Sequence, residues 1–219
     1  MLFRSHEVWV NIPRKYNRFP DWKSYTITSD NPKIIINREC EDLGPATKVF
    51  GPISKLKNDD VIVYIDDDTQ YDIRLVTNLL HWYKSDEKQN AWGLSGFCLN
   101  SYFKGEYPRE HGMEVDVIEG YGGVLVKVEW ISKIMNDFLK LKNEAKYADD
   151  IVISNLLHKI GVKLKTIFTP KLHIGMIKQY SYGFGDDALH NQTDGGHQEN
   201  YMRVLETLKS KNMFYFNVG

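Results

Sequence analysis

Three adjacent carboxylates, Asp66-Asp67-Asp68, end the apolar run Val61-Ile-Val-Tyr-Ile65, and a second acidic pair stands at Asp149-Asp150. An apolar run that stops at acids reads as a buried, parallel-type strand delivering carboxylates to the carboxyl edge of a sheet. Open α/β sheets bind ligands at that edge. Three neighbouring carboxylates repel one another, so a structure that gathers them must supply a counter-charge. A hard divalent cation is the simplest one, and a metal site is expected. Asp149-Asp150 opens a helical pattern, where the positive end of the helix dipole favours ionised acids. A carboxylate there serves as a proton acceptor, as a helix cap, or as both.

The elements that must position these groups follow in order. Val8–Ile12 reads as a strand closed by Pro13, with Arg14-Lys15 behind it. Tyr25–Thr28 and Lys33–Asn37 are β-branched runs on either side of the turn-forming Ser29-Asp-Asn-Pro32, and the second, fully apolar, is expected to be central. Asp42-Leu-Gly-Pro-Ala-Thr-Lys48 gives a Gly-Pro turn into a short helix, with Lys48 after it. Apolar positions from Ile73 to Ser85, and again from Trp130 to Leu141, keep helical spacing. Ala91–Phe97 is expected to be a strand interrupted by glycines, and Val115–Glu119 another that runs into Gly120-Tyr-Gly-Gly123 and then Val124–Val128. A helix from Ala148 ends at Gly161, and the strand Val162–Phe168 leads through Pro170 to His173. A last helix is expected over Glu199–Lys209.

Net charge of −1 removes the electrostatic case for nucleic acid as a partner. No apolar run approaches the roughly 20 residues needed to span a bilayer, and the polar start does not read as a signal peptide. Two cysteines, Cys40 and Cys98, without a CxxC pair suit a reducing compartment. A soluble, cytoplasmic chain is expected, folded as one domain over 1–219 without repeat or linker. Its thirteen tyrosines and five tryptophans suit either a stacking pocket or a core.

Taken together, the Asp66–Asp68 motif, the Gly120–Gly123 loop, the Asp149-Asp150 pair and His173 stand in an order that resembles the GT-A glycosyltransferases, the nucleotide-sugar-dependent enzymes with a DxD motif, a glycine-rich loop, an acidic pair and a C-terminal metal-binding His. The Asp42–Lys48 segment looks like one found in some members, including the capsid-glycosylating domains of large algal viruses. The resemblance covers nearly the whole chain. It implies a Rossmann-like α/β fold with a mixed, mostly parallel sheet flanked by helices, a nucleotide-binding half over about 1–98 and an acceptor-side half over about 99–219. It also implies a nucleotide-sugar donor, UDP-linked by preference, and a glycan or glycoprotein acceptor.

By the same resemblance Asp68 is a metal ligand, Asp66 faces the ribose, and Asp67 contacts the donor sugar or supports the metal site. Pro13, Arg14, Asp42 and Lys48 meet the diphosphate or base, while Gly122 and Gly123 bring backbone N–H groups to the sugar, with Tyr121 as a stacking wall. His173 joins Asp68 on the cation, with His190 and His197 as fallbacks, and an imidazole ligand favours Mn²⁺ over Mg²⁺. Asp150 is the candidate base of an inverting transfer, although an Asp-Asp pair where relatives carry Glu-Asp leaves open whether Asp149 or Asp150 acts. Two other readings compete. One is a sugar-nucleotide or glycan-binding module without turnover. The other is a haloacid-dehalogenase-type phosphatase, for which Asp66 and Asp68 fit but Gln70 does not.

Overall fold

The computed structural model describes residues 6–17, 26–102, 108, 110–167, 176–179 and 196–216, with only the backbone at 101–102, 176–179 and 196–197. The β-branched runs near the start form β1 (Val8–Asn11) and β2 (Ile34–Asn37), paired in parallel with Val8 opposite Ile34. Among the described residues β2 pairs with β1 alone, so it is not the central strand that its apolar sequence suggested. Residues 26–28, expected in a strand, are irregular, and Tyr25 lies outside the described residues. A 3₁₀ turn at Gly44–Ala46 leads into the single-turn helix α1 (Thr47–Phe50), which contains Lys48 instead of preceding it.

The central sheet has five strands in the order β3 (Val61–Tyr64), β9 (Val124–Lys127), β5 (Ala91–Gly93), β10 (Leu164–Thr166) and β7 (Met113–Val115). It is mixed: β3, β5 and β10 run one way, and β9 and β7 run against them. The acid-bearing strand β3 sits at an edge of this sheet and pairs with an antiparallel neighbour, Tyr64 opposite Val124, where a buried parallel strand was expected. Its first three residues are half-buried and only Tyr64 is buried, as an edge position allows.

Two expected strands are each broken in two. Leu94 and Ser95 separate β5 from β6 (Gly96–Phe97), and Asp116 separates β7 from β8 (Val117–Ile118), so that β6 and β8 pair with each other outside the main sheet. Asp116 stabilises the switch, its N–H donating to Phe97 O at 3.1 Å and its carboxylate accepting the Leu99 N–H at 2.8 Å, at the start of α3 (Leu99–Tyr102). A second pair was not expected at all: β4 (Thr69–Tyr71) runs antiparallel to β11 (Met176–Gln179).

Helices flank the sheet. α2 (Leu75–Ser85) packs its Leu75, Leu79 and Tyr83 face on β5 and β9. α4 (Val128–Lys140) lies against β9 and α6 (Asp149–Lys159), with the short α5 (Lys142–Ala145) between them in sequence and α7 (Gly196–Ser210) against α6. Trp92, Phe97, Leu125, Ile131, Phe138 and Ile153 are fully buried at the centre. Each such side chain contributes about 1.5–3 kcal/mol through removal of apolar surface from water. No helix among the described residues is long and apolar enough to cross a membrane.

Candidate active site

A helix of one turn cannot hold itself together, since nucleation costs more than a single turn returns. α1 is held by its surroundings. Val49 and Phe50 are buried, the Phe50 ring stacks on Phe138 of α4 with centroids 4.0 Å apart, and Thr47 Oγ1 accepts the Leu43 N–H at 2.9 Å. Lys48, set between these fixed residues, sends its ammonium to the end of β3. Nζ donates to Asp66 Oδ1 at 2.6 Å and forms an ion pair with Asp149 Oδ2 at 3.3 Å. The aspartate run was expected to be neutralised by a metal ion. For Asp66 the structure supplies a lysine.

The opposite wall is the start of α6. Ala148 is the N-cap, so neither Asp149 nor Asp150 caps the helix; they occupy its first two positions. Asp150 Oδ1 accepts the Gly120 N–H at 3.0 Å, from the 3₁₀ turn Gly120–Gly122 that links β8 to β9. A side chain at 120 would crowd the cluster: its Cβ would lie 2.8 Å from Lys48 Nζ and 3.1 Å from Asp150 Oδ1, and the lysine would have to shift. Gly123, at φ +87°, turns the chain into β9 in a conformation that side-chain-bearing residues avoid. The N–H groups of Gly122 and Gly123 donate to Glu119 O (3.3 Å) and Gly120 O (2.9 Å), so these two amides build the loop instead of reaching outward to a sugar.

The electrostatics follow from crowding. Burial pushes Asp150 well above the usual carboxylate range, and the neighbouring Asp149 carboxylate adds to the shift. The helix terminus expected to keep Asp150 readily ionised is outweighed. Asp149 is also raised by burial, against the pull of Lys48. Burial works to lower Lys48, but the carboxylates of Asp149, Asp66 and Asp150 prevail and hold it well above its ordinary value.

Three residues outside the expected site, Tyr71, Ser95 and Glu119, tie the halves of the site together. The Tyr71 hydroxyl accepts the Asp66 N–H at 3.1 Å and donates to Tyr121 O at 2.8 Å. Burial and the Asp66 carboxylate push that phenol up to about 12. Ser95 donates to Glu119 at 2.5 Å and lies 2.9 Å from the Tyr121 hydroxyl, which turns Tyr121 inward instead of leaving it as a free stacking wall. Burial raises Glu119, while its bond from Ser95 opposes the shift. The available signals were slight: a glutamate directly before the glycine loop, and a tyrosine in a three-residue strand.

Pro13 is buried at the end of β1, and Arg14, exposed just beyond it, lines a cleft of about 570 Å³ with Lys15, Asn17, Arg38, Glu39, Cys40, Glu41 and Asp42. Asp42 shapes the rim by accepting the N–H groups of Asn17 (2.5 Å) and Gly44 (2.9 Å). Tyr16, beside the cleft in sequence, is raised by burial and by the Asp42 carboxylate. Asp67 is exposed, and Asp68, half-buried, accepts the Thr69 hydroxyl at 3.1 Å. Cys40 and Cys98 are both unpaired thiols.

Among the described residues no three His, Cys, Asp or Glu side chains converge as a metal cage. His173 and His190 lie outside the described residues, and of His197 only the backbone, in α7, is described. Asp68 by itself suits a hard cation that draws its remaining ligands from substrate phosphates, since Mg²⁺ commonly takes one or two carboxylates in this way.

No family model matches the chain, and no curated protein matches it. Among solved structures, the 2-C-methyl-D-erythritol 4-phosphate cytidylyltransferase of Francisella tularensis is similar, with a TM-score of 0.46 and 15% identity over 79% of this chain and 76% of that one.

Proposed function

We propose that the chain is a metal-dependent glycosyltransferase that moves a sugar from a nucleotide donor, UDP-linked by preference, to a glycan or glycoprotein acceptor with inversion. The observation that carries this reading is the convergence of Asp66, Lys48, Asp149, Asp150 and Gly120, drawn from four distant segments, at the end of the acid-bearing strand. The order of these motifs resembles the GT-A pattern, and the open cleft lined by Arg14, Arg38 and Asp42 offers cationic groups to a diphosphate.

In this reading Asp150 is the base. The acceptor hydroxyl passes its proton to the Asp150 carboxylate as its oxygen bonds to C1 of the sugar. The bond from C1 to the diphosphate breaks, and its electron pair leaves with the diphosphate. A carboxylate raised by burial suits this task, because an effective general base titrates near the working pH. Asp68, with His173, would hold Mn²⁺ or Mg²⁺, which when bound neutralises charge on the departing diphosphate. Arg14 and Asp42 orient the nucleotide, and Tyr71 keeps the Asp66 turn in register with the glycine loop.

The test is a donor screen by thermal shift with UDP-, GDP- and dTDP-sugars, with and without Mn²⁺. A metal-dependent rise in melting temperature with one nucleotide class is expected, and it should be lost in Asp68→Ala. Absence of any donor or metal effect would remove the glycosyltransferase reading.

A further inference from the structure

With every group ionised, Lys48, Asp66, Asp149 and Asp150 carry one positive and three negative charges, a net −2 in a largely buried space. Such a cluster discharges itself by keeping a proton on whichever acid the cation serves least. Geometry identifies that acid. Nζ forms ion pairs with Asp66 at 2.6 Å and Asp149 at 3.3 Å, and Asp150 is not among its ion-pair partners. Asp150 is held instead by the neutral Gly120 amide at 3.0 Å.

We infer that Lys48 is a positioning residue that divides the labour of the acidic pair: its ammonium fixes Asp149 as the permanent anion and leaves Asp150 as the carboxylate that gains and loses the proton. The inference deepens the proposed function, since it rests on Asp150 as base, and it decides between two adjacent acids that the sequence could not separate. The groups facing Asp150 are Asp149 on its own helix, Lys48 from α1, Asp66 and Tyr64 at the end of β3, and Glu119 before Gly120. Lys48 is the cation in that set, so its removal strips the distinction between the two acids.

Carbon-13 titration of aspartate carboxyls reads this without substrate. It therefore stands or falls apart from sugar transfer, which is read separately as release of UDP. Resonances are assigned by their loss in Asp149→Asn and Asp150→Asn. In the wild-type chain the Asp150 midpoint is expected above that of Asp149 by about one pH unit or more. In Lys48→Met the Asp149 midpoint rises toward that of Asp150, and Lys48→Arg restores the separation. If the chain turns over donor, the acid limb of its pH–rate profile moves with the Asp150 midpoint in Lys48→Met and returns in Lys48→Arg. Equal or inverted midpoints in the wild-type chain overturn the inference, even if Lys48→Met does not fold. So does an unchanged separation in a folded Lys48→Met.

Discussion

Tyr71 and Tyr121 are joined by a 2.8 Å hydrogen bond from the phenol of the first to the main-chain carbonyl of the second, and the same phenol accepts the Asp66 N–H. One hydroxyl thus fixes the distance between the acidic turn and the glycine loop. Tyr71→Phe removes both bonds and leaves the ring. Each part-buried hydrogen bond contributes about 1 kcal/mol net, so the variant should lose about 2 kcal/mol of stability, a fall of about 4–8 °C in melting temperature. Donor affinity should fall severalfold, because the two halves of the site are no longer held in register. Calorimetric donor titration beside a thermal scan checks both.

Asp150→Asn separates catalysis from stability. The amide oxygen still accepts the Gly120 N–H, while proton acceptance is gone, so turnover should drop about 10²-fold or more with donor binding retained. The sign of the stability change follows from linkage. Asp150 is raised in the folded chain, so the native state holds more protons than the unfolded state between the ordinary aspartate value and the raised one. Stability from this group is complete below the ordinary value and is lost as pH rises through the raised one. Asp150→Asn should therefore melt higher than wild type at pH 8, and the difference should close as pH falls toward 4.

Asp68 has no ion pair among the described residues, so its removal costs the fold little. Asp68→Ala should melt within about 2 °C of wild type, as surface-type substitutions do, yet lose the Mn²⁺-dependent part of donor binding. Equal donor affinity with and without Mn²⁺ in the wild-type chain would contradict the assignment.

Phe138 supports α1 from the core side. Phe138→Ala should cost about 3–5 kcal/mol, the usual range for emptying a buried aromatic site, and should weaken donor binding as well because α1 carries Lys48. Asn155 offers a control remote from the chemistry. Fully buried, it donates to Met213 O at 2.7 Å and accepts the Tyr215 N–H at 2.7 Å, fastening the segment after α7 to α6. Asn155→Ala leaves both partners unpaired, at about 1–3 kcal/mol each, and should leave donor affinity unchanged when measured well below the melting temperature.

Much of the scaffold was legible because it is periodic. The apolar spacing of α2, α4 and α6 and the β-branched runs of β1, β2 and β3 show themselves locally, and the acids at 66–68 and 149–150 mark where strand and helix begin and end. What was not legible depends on distant packing. Lys48 reaches Asp66 because Phe50 docks on Phe138, a contact between α1 and α4 that no local period announces. β4 and β11 are three and four residues long, too short for alternation to show. Asp150 looked favoured as an anion from its helix position, but its protonation is set by burial beside a second carboxylate, which becomes visible only once the segments converge.

Catalysis by Asp150 is read from release of free nucleoside diphosphate from UDP-, GDP- and dTDP-sugars in Mn²⁺, compared between the wild-type chain and Asp150→Asn. Metal-dependent release from one nucleotide class is expected of the wild-type chain, and about 10²-fold less of a variant that still binds the donor. Donor binding with no release by the wild-type chain, or undiminished release by Asp150→Asn, would contradict catalysis by Asp150.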